Sequence, residues 1–198
     1  MKNLFDQQLV AIDIEGDGNA PIEPVEITAI DFTQQGAGPA RTWTCNPGRP
    51  MNRYAVKIHG ITDAMVRGLP RFDAFAPEVF SALQGKIVIS HGVAGDMHLL
   101  KRKIPALAGT KTLDTLKMAR VSFPGRRGFK LFELIDELGI HVVAPAGARG
   151  RHSSALDAEA TRLLFMTLVE DPAPGVIRYL RDSGYGLELS GTTPGPLA

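Results

Sequence analysis

Five side chains in this sequence could do chemistry together: Asp13, Glu15, Asp96, Asp157 and His152. Asp13 and Glu15 lie in the run Leu9-Val10-Ala11-Ile12-Asp13-Ile14-Glu15-Gly16-Asp17-Gly18. Its apolar, β-branched half reads as a strand buried on both faces. Side chains alternate along a strand, so Val10, Ile12 and Ile14 share one face and Ala11, Asp13 and Glu15 the other. Two carboxylates then point the same way, about 6–7 Å apart along the backbone. Ionised carboxylates that close repel each other and resist burial unless protons or cations neutralise them. A divalent metal is the usual solution, because hard oxygen donors suit Mg²⁺ and Mn²⁺. The bland alternative is a strand that has simply ended, with both acids in water.

Asp96 opens a helix whose Leu99 and Leu100 follow at helical spacing, so the acid shares their core-facing side; taken alone it would serve the helix dipole. Asp157 heads the stripe Ala160, Thr161, Leu164 and Leu168, and with Ser154 it also stands at capping-box spacing. His152 sits where a loop enters that helix. Singly each group has an ordinary role. Together, four acids at strand ends and helix starts, with no matching buried bases, make sense as a two-metal site, in which ions about 3.5–4 Å apart stabilise the attacking and leaving oxygens of a phosphoryl displacement.

The elements that must position them follow from periodicity. After the first strand, Pro21 and Pro24 keep a loop irregular. Strands are expected at 25–32 and 41–46, with a turn at 34–39. Thr62 caps a short helix to Arg67, and 72–83 reads as one helix. A buried strand covers 86–90, followed by a helix starting near Asp96. A strand at 112–115 leads into a helix over 116–121, and another helix covers 131–138, closed by Gly139. The loop 145–151 precedes a helix over 154–170, stopped by Asp171-Pro172-Ala173-Pro174. Strands first, then alternation, imply an α/β domain with a mixed sheet and helices on both faces. A short helix at 177–182 and a Gly/Ser/Thr/Pro tail without fixed structure end the chain.

The 198 residues suffice for one domain with a real core, and 44% apolar with 22% charged residues is an ordinary soluble composition. The single cysteine, Cys45, excludes an internal disulfide framework and a cysteine zinc site, and suits a reducing, cytoplasmic setting. No signal-peptide pattern or segment of about 20 apolar residues is seen, so no membrane is expected. A net charge of +1 leaves any basic footprint local. Arg126, Arg127, Lys130, Arg149 and Arg151 are candidates for phosphate contact or ordinary loop charges. Phe123 and Phe129 could stack on bases, with core packing the stronger expectation.

Three motifs in order carry a resemblance: Asp13-Ile14-Glu15-Gly16-Asp17-Gly18, Ser90-His91-Gly92-Val93-Ala94-Gly95-Asp96, and His152-Ser153-Ser154-Ala155-Leu156-Asp157-Ala158. With Ile58-His59-Gly60-Ile61-Thr62 and the stretch 112–124, they make the chain resemble the DEDDh branch of the DnaQ-like 3′-to-5′ exonucleases, to which the proofreading epsilon subunits of bacterial replicative polymerases belong. The resemblance runs over about 9–171 and implies a ribonuclease H-like fold with a mixed five-stranded sheet. It places an exonuclease domain at 1–174 and a short helix and flexible tail at 175–198. It implies two divalent ions, Mg²⁺ or Mn²⁺: Asp13, Glu15 and Asp157 hold the first, and Asp13 with Asp96 through water holds the second. His152 is the implied general base. Gly16, Asp17, Gly18, His59 and His91 would contact the terminal nucleotide of a single-stranded 3′ end, and a DNA polymerase subunit is an implied partner. No signature of oligomeric state is present.

The chain departs from the family where it usually has two hydroxyl residues after the Glu, here Gly16 and Asp17. It departs again at an Asn and an aromatic of the second motif, here Gly92 and Gly95. Asp17 is best read as a turn former. DNA and RNA substrates stay open, since they differ by contacts to the 2′-hydroxyl. A non-hydrolysing module that only binds nucleic acid or a polymerase is the alternative of a different class.

Overall fold

The computed structural model describes residues 1–187; the tail expected to lack fixed structure lies, from residue 188, outside the described residues. A two-residue strand, β1 (Lys2–Asn3), precedes the central strand β2 (Leu9–Gly16), whose residues from Leu9 to Ile12 are all buried. A meander follows: β3 (Pro24–Thr33), β4 (Gly36–Ala37) and β5 (Arg41–Thr44). After two short helices, α1 (Arg53–His59) and α2 (Asp63–Val66), the chain alternates through α3 (Ala76–Leu83), β6 (Ile87–Ser90), α4 (Val93–Lys103) and β7 (Lys111–Asp114). It ends in helices α5 (Thr115–Ser122), α6 (Leu131–Glu137), α7 (Ser154–Glu170) and α8 (Pro174–Asp182), then the short strand β8 (Tyr185–Gly186).

The main sheet runs β4-β3-β2-β6-β7, with β5 also on β3. β2 pairs antiparallel with β3 and parallel with β6, and β6 pairs parallel with β7. β4 and β5 meet different stretches of the same β3 edge, at Phe32–Thr33 and Glu26–Ala29 respectively. The mixed sheet is therefore five strands wide, as the sequence implies, with its outer strand interrupted near Pro39, which has no N–H to donate.

The alternation along β2 builds two cores. Val10 and Ile12 pack with Val79 and Leu83 of α3 and Met97 and Leu100 of α4. Leu9 and Ala11 face α5 to α8, where Phe165 of α7 meets Phe32 edge-on with ring centroids 5.8 Å apart. Asp13 and Glu15 continue the Ala11 face, so they come out under α7. Among the described residues no helix is long and apolar enough to cross a membrane.

Several element boundaries differ from expectation. The stretch 72–83 is a 3₁₀ turn (Phe72–Ala74) and then α3, because Pro77 is tolerated only in a helix's first turn. Helix α4 starts at Val93 rather than near Asp96: Gly92, with φ 93°, turns the chain directly into it. Helix α1 has no counterpart in the sequence reading, although Asn52 caps it by accepting from the Tyr54 N–H and Gly60 ends it at φ 73°. The expected capping box of Ser154 and Asp157 is not formed; Ser153 is the N-cap, and Asp157 lies one turn in.

The helix expected at 177–182 begins at Pro174, so the boundary placed at 174 falls at the start of an element built into the same core. Val176 and Leu180 are buried there, and the Tyr179 hydroxyl accepts the Asp114 N–H at 2.9 Å. Removing that hydroxyl leaves a buried amide unpaired, which costs about 1–3 kcal/mol. Tyr179→Phe should lower unfolding stability by that amount in a urea titration with unchanged slope, whereas an unchanged midpoint would show that α8 only lies against the domain.

Candidate active site

Where the apolar half of β2 ends, three carboxylates meet. Asp13, Glu15 and Asp157 each offer an oxygen, and the three atoms lie within 4.8 Å of one another. β2 supplies two of them on one face, and the first turns of α7, laid across that face, supply the third. Among the described residues no lysine or arginine forms an ion pair with any of them.

That arrangement shifts every member upward. Burial, then the like charges of Asp96, Asp157 and Glu15, raises Asp13 well above the usual carboxylate range. Burial and then Asp157 push Glu15 up to about 8. Burial lifts Asp157 to about 6 against the opposing pull of His152. Asp96, in the first turn of α4, stands outside the close trio; burial raises it to about 6 although the Ser90 hydroxyl donates to its Oδ2. Carboxylates so placed invite a cation, and the donor set, all hard oxygen, fits Mg²⁺ or Mn²⁺.

His152 stands at the rim in a left-handed conformation, φ 65°. Its side chain is 53% exposed, and its Nδ1 lies 3.9 Å from Asp157 Oδ2. Its own N–H donates to Asp157 Oδ1 at 3.2 Å, and its ring sits edge-on to Phe132. Asp157 therefore anchors the loop as well as facing the trio.

Beside the carboxylates opens a cavity of about 630 Å³, sharing Glu15 and Asp96 and walled by Gly16, Gly18, His59 and Gly95. Ile58, from the Ile58-His59-Gly60-Ile61-Thr62 segment, and His98 line it as well. A Cβ on Gly16 would stand 2.4 Å from Ile22 Cγ2, and one on Gly18, at φ 73°, would stand 2.8 Å from Ala55 Cβ, so this turn packs against its neighbours as only glycine allows. His59 is buried and its Nδ1 accepts the Ile61 N–H at 3.0 Å. Burial lowers its pKa, so the neutral ring carries its proton on Nε2, which lies near the Gly16 carbonyl without reaching hydrogen-bond geometry.

Two expected contacts lie elsewhere. The Asp17 carboxylate is fully buried and accepts from Arg49 Nε at 2.5 Å and from the Asn19 and Glu23 N–H groups at 3.2 and 3.0 Å; it holds the turn and does not face the cavity. His91 uses both ring nitrogens inside the protein, with Nε2 2.7 Å from the Phe129 carbonyl and Nδ1 3.0 Å from Thr115 Oγ1. The expected phosphate contacts are also mostly engaged. Arg126 pairs with Glu137, Lys130 with Glu133, Arg149 with Glu26 and Arg151 with Asp136, while Phe123 and Phe129 pack against the core. Glu26 itself escaped the sequence reading, though a Glu inside the apolar run Val25–Ile30 was a visible signal.

The sequence and the fold both have known counterparts. A family model described as Exonuclease, RNase T type, matches residues 10–165. The "3'-5' exonuclease DinG" of Bacillus subtilis is 30% identical over 83% of this chain and 18% of its own length. The "DNA polymerase III subunit epsilon" of Aquifex aeolicus is 28% identical over 85% of this chain and 84% of its own. The chain spans less than half the length of several of the curated relatives it matches. Among solved structures, "Exonuclease X in complex with 5' overhanging duplex DNA" superposes with a TM-score of 0.69 at 25% identity, over 82% of this chain and 91% of that one. The "zinc ion bound form" of an E. coli ExoI–ssDNA complex gives 0.74 at 20% identity, over 89% and 43%, and so shares the fold.

The raised carboxylates set the pH dependence of the metal-free fold. Unfolded, these groups titrate near 4, whereas folded Glu15 holds its proton to about 8. The folded state thus binds more protons than the unfolded chain, and stability falls as pH rises from about 4 to about 8. In EDTA the thermal midpoint should drop by several degrees between about pH 5 and pH 8.5. Mn²⁺ should raise it more at the higher pH, because cation and proton compete. Glu15→Gln should flatten both responses in differential scanning fluorimetry; equal Mn²⁺ shifts at the two pH values would contradict this account.

Proposed function

The chain belongs to the exonuclease family, and we propose that it hydrolyses the phosphodiester bond at the 3′ end of a nucleic acid strand, releasing nucleoside 5′-monophosphates one at a time. The observation that carries this reading is the meeting of Asp13, Glu15 and Asp157 within 4.8 Å, with His152 at their edge. In this reading Asp13, Glu15 and Asp157 would hold one divalent ion, and Asp13 and Asp96 would hold the second. The bound pair would supply positive charge to the attacking and leaving oxygens of the scissile phosphate.

The remaining work falls to the chain's own groups. His152 accepts a proton from the attacking water, a task suited to an imidazole in contact with solvent. Asp157 holds the His152 backbone through its N–H. The terminal nucleotide would occupy the cavity lined by Gly16, Gly18 and His59. The water oxygen joins the phosphorus, the bond from phosphorus to the 3′ oxygen of the shortened strand breaks, and that oxygen takes a proton from solvent while His152 gives its own back to solvent.

DNA is the favoured substrate and proofreading beside a DNA polymerase in the cytoplasm the favoured setting, on the strength of the relative named as a polymerase III epsilon subunit and the solved complex with duplex DNA. Gly95 meets nothing within 4 Å of where its Cβ would stand, so this wall of the cavity is open where the family usually has a ring.

The test is incubation with 5′-labelled and 3′-labelled single strands of DNA and RNA in Mg²⁺ or Mn²⁺. Mononucleotides should leave from the 3′ end of DNA, and both EDTA and Asp13→Asn should abolish release. His152→Ala should keep Mn²⁺ binding yet slow turnover by at least about 10²-fold, the usual scale for a general base. Tight binding of the strand without release would show a binding module instead.

A further inference from the structure

Glu26 of β3 is 1% exposed and lies directly across the ladder from Glu15. Two acids facing each other on a sheet repel, and a buried carboxylate needs partners. Glu26 finds four donors from three places. Arg149 Nη2 donates at 2.5 Å, Thr44 Oγ1 at 3.2 Å, and the Ser154 N–H and Oγ at 3.3 and 3.0 Å. Ser154 Oγ also lies 2.7 Å from Thr28 Oγ1, on the residue that pairs with Asp13 across the ladder.

These contacts bracket His152. Three residues before it, Arg149 is fixed to the sheet through Glu26. One residue before it, Arg151 grips Asp136 of α6 at 2.9 and 3.0 Å and lies 4.9 Å over the Phe132 ring. Just after it, Ser153 Oγ donates to the Gly150 carbonyl at 3.0 Å, and Ser154 is bound to Glu26. His152 itself has the left-handed φ of 65°. That conformation is unfavourable for a non-glycine residue and persists only where the surroundings impose it.

We propose that the Glu26–Arg149 pair is a latch that positions His152, making Arg149 a positioning residue of the nuclease site and not a phosphate ligand. The role rests on the function proposed above, since a latch on His152 matters to turnover only if His152 takes part in it. Arg149 also brings positive charge toward Glu15, so one guanidinium answers Glu26 and eases the crowding on the next strand.

Two measurements decide it. Deuterium uptake over residues 145–156 needs no turnover and should rise in Arg149→Ala, with Arg149→Lys between it and the unaltered protein. In oligonucleotide hydrolysis, Arg149→Ala should lower kcat at least tenfold with KM and the salt dependence of binding unchanged. The double variant Arg149→Ala/His152→Ala should be no slower than His152→Ala alone, because Arg149 acts through that ring. Single-variant losses that multiply in the double variant, or a raised KM with a shallower salt slope, would make Arg149 a phosphate ligand and overturn the latch. Unaltered uptake in Arg149→Ala would overturn it as well. If the unaltered protein releases no nucleotide, the nuclease reading falls, while the uptake data still show whether the pair holds the loop.

Discussion

Repulsion among carboxylates gathered at the end of β2 is the constraint that the rest of this molecule is arranged to withstand. Asp13 and Glu15 share a strand face, Asp157 reaches down from α7, and Asp96 stands close enough to Asp13 to raise its proton affinity further. No ordinary core would keep such a set, because each added negative charge makes the others harder to ionise. The fold tolerates it by spending its rigid elements there: β2, bonded on both edges, and α7, the longest helix among the described residues.

Around that centre, several neighbouring acids are answered by cations or N–H groups from within the protein. Asp17 is matched by Arg49, Glu23 by Arg102 and Lys103, and Glu26 by Arg149 and Ser154. Asp114 takes the N–H groups of Gly92, Leu116 and Lys117. The contrast separates structural carboxylates from chemical ones more sharply than burial does, since Asp17 and Glu26 are more deeply buried than Asp13. Burial with donors is architecture; burial among like charges is a site waiting for a counter-ion.

The cavity next to the trio is shaped by glycines. Gly16 and Gly18 draw the turn after β2 against Ile22 and Ala55, and Gly95 leaves the facing wall of α4 open. Two of the residues that set this chain apart from the family's usual motifs, Gly16 and Gly95, therefore line this cavity, while the carboxylates and His152 keep their places. The cavity and the carboxylate trio rest on different elements, the first on a loop and two helix faces, the second on a strand end and a helix start.

Much of this was legible in the residue order. The alternation from Val10 to Glu15 put both acids on one face, the stripe below Asp157 turned that acid inward, and α7 spans the expected 154–170. Local periodicity and spacing suffice there, because each inference concerns neighbours along the chain. Other features depend on pairings far apart in sequence. Asp17 reads as a turn former, but its partner Arg49 is not visible there; His91 reads as a nucleotide contact, yet Phe129 and Thr115 take both nitrogens; and Arg149, open between phosphate contact and loop charge, is claimed by Glu26. Residue type and order decided which groups could do chemistry and which way each faced on its own element. Only the tertiary structure decided which charges were already spent, because a charge is cancelled by whatever lies within a few ångströms of it in space, and that neighbour has no fixed distance along the chain.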